Sequence, residues 1–270
     1  QNSTTLQPSS NFNIIGEGKA TSFDSQSGYT IQGTRVLATS PGGPNNTFVG
    51  ENAGLNAGGN ANSYVGSGAG LNAANSVANT FVGSLAGNLA VSGSNNTFVG
   101  TVSGRLTDGS NNSFFGAFSG ENSTGGGNSF FGLASGQNTT GSLNSFFGNN
   151  SGVNNTTGES NSFFGQRSGS SNTTASNNAF FGYWSGFSNT TASNNAFFGY
   201  FAGRRNTTGA DNSFFGSGAG AGQPSTDNTG NNNTFIGRDS GNMNTTGVRN
   251  TAVGAYSFAS NATGSGNTII

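Results

Sequence analysis

Asn112-Ser113-Phe114-Phe115-Gly116-Ala117-Phe118-Ser119-Gly120-Glu121-Asn122 decides the fold, because close copies of this stretch follow one another to the last residue. The glycine that closes the aromatic pair, Gly116 here, recurs thirteen times between Gly50 and Gly254. Successive copies are 16 or 17 residues apart, with one spacing of 21 where an insertion at residues 221–230, which holds Pro224, enlarges a turn. Asn267-Thr268-Ile269-Ile270 opens a fourteenth copy. Helical hairpin repeats need more than about 30 residues, whereas one coil of a β-solenoid or β-roll fits this period. The fold class predicted is therefore all-β: a parallel β-solenoid of about 13 rungs of 16–17 residues.

Composition supports order. The chain of 270 residues has 48 glycines and only 6% charged residues, but most of its 24 phenylalanines fall in register. Disordered chains combine low hydrophobicity with high net charge and few aromatics. Here the net charge is −1, which also removes the attraction on which nucleic-acid and anionic-membrane binding rest. No nucleic-acid partner is expected. No run approaches the roughly 18 apolar residues of a membrane span, so no membrane insertion is expected. The absence of cysteine leaves the redox compartment unmarked. Gln1 at the first position suggests a processed N-terminus and supports secretion.

Each column of the repeat has a physical role. The leading asparagine (Asn112, Asn161 and Asn195 among fourteen copies) tolerates turn conformations and is predicted to form a hydrogen-bonded ladder along the axis. Thr, Ser or Ala follows, then an aromatic, then Val, Phe or Ile, a bias that forms a short strand. The closing glycines, such as Gly116, Gly165 and Gly199, permit the corner. Ala or Ser three places later, with Gly directly after it, suits a wall close to the opposite strand. Neighbours in a strand face opposite sides. We assign the column of Val49, Phe115, Phe164 and Phe198 to the coil interior and that of Phe48, Phe114, Phe163 and Phe197 to the outer wall; the reverse also satisfies the alternation. At roughly 4.8 Å per rung, a dozen stacked aromatics form a stripe about 60 Å long. That exceeds what soluble monomers leave uncovered, and the simplest cover is another copy of the chain.

Residues 1–40 depart from the pattern and are read as a cap, adaptor or joining segment over the first rung, with a partly ordered tail as the alternative; residues 41–270 form the array. Tyr29 to Leu37 alternates like one or two short strands, and Pro41-Gly42-Gly43-Pro44 breaks the chain before the first repeat.

Copies such as Asn46-Thr47-Phe48-Val49-Gly50-Glu51-Asn52-Ala53-Gly54 and Asn250-Thr251-Ala252-Val253-Gly254 resemble the YadA-like head repeats of trimeric autotransporter adhesins and related bacterial and phage tail-fibre proteins. The similarity covers residues 29 to 270. It implies a parallel β-roll in each chain, an intertwined or side-by-side homotrimer, and a cell-surface or fibre role. The period near 17, the heavier aromatic pair and the lack of a stalk, anchor or self-cleaving chaperone depart from that pattern. An end in mid-repeat is expected of a cleaved or trimmed product, or of a rung completed by a neighbouring chain.

No chemistry is signalled. Histidine is absent and the nine acidic residues share no column, so no acid–base pair is marked. The calcium-binding nonapeptide is not matched. Gly16 to Thr21 fails as a phosphate loop because Lys19 is followed by Ala20, and Gly216 to Gly220 fails as a dinucleotide motif because no amphipathic helix follows. The expectation is a non-enzyme without cofactor or metal: a secreted structural fibre forming a rigid extracellular filament that supports adhesion or matrix formation, its partner itself, as a trimer or an end-to-end polymer. The alternative is the receptor-binding shaft or head of a tail fibre or adhesin contacting surface glycans. Asn-Thr-Thr recurs at Asn138, Asn155, Asn172, Asn189, Asn206 and Asn244 on a presumed turn. It reads first as good turn chemistry, then as glycosylation acceptors or, third, as stacked threonines that bind ice. Arg167, Trp184, Phe187, Arg204 and Arg205 decorate the rungs irregularly and disfavour a flat ice-binding plane.

Overall fold

The computed structural model describes residues 29–31, 34–38, 43, 45–223 and 225–270. Sixteen strands form one sheet: β1 Tyr29–Ile31, β2 Thr34–Ala38, β3 Thr47–Val49, β4 Ser63–Val65, β5 Thr80–Val82, β6 Thr97–Val99, β7 Ser113–Phe115, β8 Ser129–Phe131, β9 Ser145–Phe147, β10 Ser162–Phe164, β11 Ala179–Phe181, β12 Ala196–Phe198, β13 Ser213–Phe215, β14 Thr234–Ile236, β15 Thr251–Val253 and β16 Thr268–Ile269. They neighbour one another in chain order. From β3 onward every pairing is parallel and in register, so that Ser162, Phe163 and Phe164 stand beside Ala179, Phe180 and Phe181. Among the described residues there is no helix, and the chain is the all-β parallel solenoid of about 13 turns that the period predicts.

The first rung is met by a hairpin. β1 and β2 pair antiparallel, and β2 pairs antiparallel with β3 through Leu37 and Val49. The backbone groups on that edge of β3 thus have a partner, which limits recruitment of a foreign strand. Most of the expected cap, with Gly16 to Thr21 and Pro41 and Pro44, lies outside the described residues.

From β3 to β15 each strand is three residues long and has one inward side chain. That side chain is the middle one, which corrects the assignment made from alternation. The column of Phe48, Tyr64, Phe114, Phe163 and Phe197 is fully buried, and the column of Val49, Phe115, Phe164 and Phe198 stands on the outside. Twelve inner rings from Phe48 to Phe235 stack rung upon rung with centroids 4.7 to 5.0 Å apart. Burying each ring contributes on the order of 1.5–3 kcal/mol.

The opposite wall shows why the middle residue wins. Gly120 has φ +58 and lies flat against Phe114, so that an added Cβ would run into the ring. The coil is only one ring thick, and glycine is the residue that lets the wall approach that closely. Before it sits a small residue, Ser119, fully buried; in several rungs this serine donates across the interior to the carbonyl of the next inner aromatic, as Ser151 Oγ does to Phe163 O at 3.0 Å. The expected tight wall is thus present, and the serine also satisfies a buried carbonyl.

Rungs are tied by two further ladders. Each leading asparagine accepts, through Oδ1, a hydrogen bond from the backbone N–H of the next one, thirteen times in succession from Asn46 to Asn267 at 2.8 to 3.1 Å. Its Nδ2 is also used, as when Asn128 donates to Gly141 O at 3.1 Å. On the far side, Gly104 N donates to Ser119 O and Leu106 N to Glu121 O in the following rung. The turn forces bulky residues into the left-handed region, including Val102 (φ 62), Phe118 (φ 56) and Trp184 (φ 55). Each costs about 1–2 kcal/mol and is held because its N–H is spent on the preceding rung, Phe118 N on Thr101 O at 2.9 Å.

Candidate interaction surfaces

With the middle strand residue inside, its two neighbours face solvent. One outer rank is Thr, Ser or Ala from Thr47 to Thr251; the other is apolar from Val49 through Phe115, Phe164 and Phe198 to Val253. Seven outer rings, Phe115, Phe131, Phe147, Phe164, Phe181, Phe198 and Phe215, stack at 4.6 to 4.9 Å. They cover one another's faces and leave their edges to solvent. The exposed stripe anticipated from the sequence is therefore present, built by the column expected inside.

The asparagines of the Asn-Thr-Thr triplets do not share one place. Asn155, Asn172, Asn189, Asn206 and Asn244 are fully buried and form an inner ladder, with Asn189 Nδ2 donating to Asn172 Oδ1 at 2.9 Å and to Ala192 O at 3.0 Å. This corrects the expectation that they lie on an outer turn as acceptors: in the folded chain they are enclosed and each Nδ2 is already hydrogen-bonded. Asn138 is the exception and is exposed. It sits six residues after its corner glycine, Gly132, where the buried five sit seven after theirs. That offset was the available signal. In four of the five buried triplets the first threonine donates to the following rung, as Thr156 Oγ1 does to Thr173 O at 2.8 Å, so its hydroxyl belongs to the ladder.

The irregular residues gather into one cluster on the turn wall, beyond the corner glycines Gly182 and Gly199. Tyr183 stacks on Tyr200 with centroids 5.5 Å apart, and Trp184 stacks on Phe187 at 4.4 Å. The Arg204 guanidinium lies 4.7 Å from the Phe201 centroid and 5.1 Å from that of Trp184, which Arg167 approaches to 5.3 Å. Arg205 pairs with Asp227 at 3.4 Å and Arg238 with Asp239 at 3.3 Å. Tyr183, Tyr200, Phe201 and Arg238 were not singled out from the sequence, although each occupies one of the first two places after a corner glycine, where the rungs vary widely.

The insertion closes one side of this cluster. Its residues leave the coil after Ala221 and return so that Asn228 N donates to Arg205 O at 2.9 Å and Thr207 N to Asn228 O at 3.0 Å. Asn228 thereby takes the inner place between Asn206 and Asn244 and is fully buried. The backbone pairing continues through the insertion, and the added length borders a cleft of about 350 Å³ lined by Tyr200, Phe201, Arg204 and Asn242 among others.

Among the described residues no group of three or more His, Cys, Asp or Glu could hold a metal ion, and no helix is long and apolar enough to cross a membrane. Compared with protein-family models, curated proteins and solved structures, the chain matches none.

Proposed function

We propose that the chain is the shaft of a rigid, secreted fibre, in which copies pack side by side, three about a common axis, and build an extracellular filament or surface appendage. The outer Phe stripe carries this reading. Its rings repeat at 4.6 to 4.9 Å, and a covering surface must offer apolar groups at the same rise. A second copy does so in register along its whole length, and closed symmetry lets every copy cover its neighbour. An exposed apolar stripe about 60 Å long, at roughly 4.8 Å per rung, is otherwise an aggregation hazard.

A mechanical role suits the chemistry of the coil. Its cohesion comes from stacked rings, asparagine ladders and backbone bonds, which are insensitive to ionic strength, with three surface ion pairs among the described residues. No catalytic step is assigned. Electron microscopy of the purified protein tests the reading. Straight rods or filaments with a three-lobed cross-section are expected, and thin single-coil particles would overturn it. A second reading, a shaft that contacts surface glycans, is favoured by the aromatic and arginine cluster beside the insertion.

A further inference from the structure

The stack of outer aromatics on the turn wall stops abruptly. In the place that follows the corner glycine, Tyr183 is succeeded by Tyr200 one rung on, but the next rung has Ser217 there and Gly218 after it. One layer of side chains is missing. The rung beyond brings Arg238 and Asp239 over the gap, with the Asp239 carboxylate lying against Gly218, where an added Cβ would meet it. Two rungs at roughly 4.8 Å each separate the layers by about 9.6 Å, enough for one ring in van der Waals contact with both.

We infer that this slot, floored by Tyr200 and Phe201 and edged by Arg204 and Asn242, binds a carboxylate-bearing saccharide of the uronic-acid type. The floor is apolar and aromatic, as the C–H face of a sugar ring requires, whereas the roof and edges are polar. Asn242 Oδ1 is buried without a hydrogen-bond partner, an acceptor that a sugar hydroxyl satisfies. Arg204 supplies the charge. Its neighbours Arg205 and Arg238 are paired with Asp227 and Asp239, but Arg204 has no ion pair among the described residues. Its guanidinium is held against Phe201 and Trp184 with donor edges free for a bidentate contact to a carboxylate. A cleft of about 350 Å³ lies at the small end of ligand sites and admits one or two sugar rings. The insertion supplies one side wall, which gives the break in the period a role. The site belongs to a single chain; it deepens the glycan-contacting reading and does not rest on the trimer.

Trp184 is the chain's single tryptophan and touches Arg204, so its fluorescence reports on this site alone. Titration with tetragalacturonate is expected to shift that fluorescence saturably, with calorimetry giving the same affinity, and a neutral tetragalactoside is expected to bind at least tenfold more weakly. Arg204→Ala is expected to weaken tetragalacturonate binding at least tenfold. Ser217→Tyr, an exposed position whose new ring continues the Tyr183 and Tyr200 stack, is expected to abolish it while leaving the melting temperature and solution mass unchanged. No saturable signal from the unmodified protein at millimolar tetragalacturonate would overturn the inference. So would equal affinity for the neutral sugar, or undiminished binding by a folded Ser217→Tyr chain.

Discussion

Phe258 and Ala252 have exchanged the sizes that every earlier rung gives to their positions. The inner place of the strand holds an aromatic ring twelve times and then Ala252, while the fourth place after the corner glycine holds glycine twelve times and then Phe258. The Phe258 ring reaches in from the opposite wall, with its centroid 6.0 Å from that of Phe235. One coil therefore accommodates one ring, from either wall. Phe258→Gly alone is expected to open a void and cost about 3 kcal/mol, and Ala252→Phe alone to overpack the rung by about 1–3 kcal/mol. The double variant restores the pattern of the other rungs and is expected to unfold close to the unmodified protein in denaturant. Additive losses would show that the two positions are independent.

The same close approach governs the middle of the array. Gly120→Ala puts a methyl group into the Phe114 ring at φ +58, and a loss of about 3 kcal/mol or more is expected. Ala117→Gly, three residues away at a half-buried turn position, serves as the control and is expected to change the unfolding midpoint little.

Asn128 holds two rungs at once. Its Oδ1 accepts from Asn144 N at 2.8 Å and its Nδ2 donates to Gly141 O at 3.1 Å. Asn128→Ala leaves both groups buried and unpaired, for an expected loss of about 2–4 kcal/mol. Amide exchange should localise the damage, with faster exchange at Asn144 and its rung neighbours than at the distant Asn233.

Tyr64 is the one inner ring with a hydroxyl, placed 3.0 Å from Ser76 Oγ. Burial pushes its phenol up from 10.0 to about 12, against the smaller opposing effect of hydrogen bonds with Ser76 and Asn79. The folded chain keeps this proton more tightly than the unfolded one. The corresponding stability is complete below pH 10 and is lost as pH rises through about 12, a change on the order of 3 kcal/mol. Tyr64→Phe copies the residue of the neighbouring rungs and is expected to match the unmodified protein near pH 8. It should resist alkali better, with the two unfolding curves separating between pH 10 and 12.

The period, the strand positions and the corner glycines were legible because each repeats in every copy. The direction of the two Phe columns was not, since alternation shows only that neighbours face apart. The deciding signal was Gly120 and its equivalents, whose recurrence in twelve copies reflects a ring pressed against them; the Ala252 and Phe258 exchange states the same rule in sequence. The inner place of Asn155, Asn172, Asn189, Asn206 and Asn244 was missed because Asn-Thr-Thr reads as turn chemistry unless its distance from the corner glycine is counted. The Tyr200 slot was hidden for another reason. It depends on which side chains lie one rung apart, and on the gap that Ser217 leaves over Tyr200.

Side-by-side association along the outer Phe stripe is tested most directly by sedimentation equilibrium of the unmodified protein and of a Phe147→Ser, Phe164→Ser variant. Both substitutions lie on the outside of β9 and β10 and leave the inner stack intact. Three times the chain mass for the unmodified protein, falling to a single folded chain for the variant, is the predicted result. A monomeric unmodified protein that stays soluble at high concentration would contradict the account.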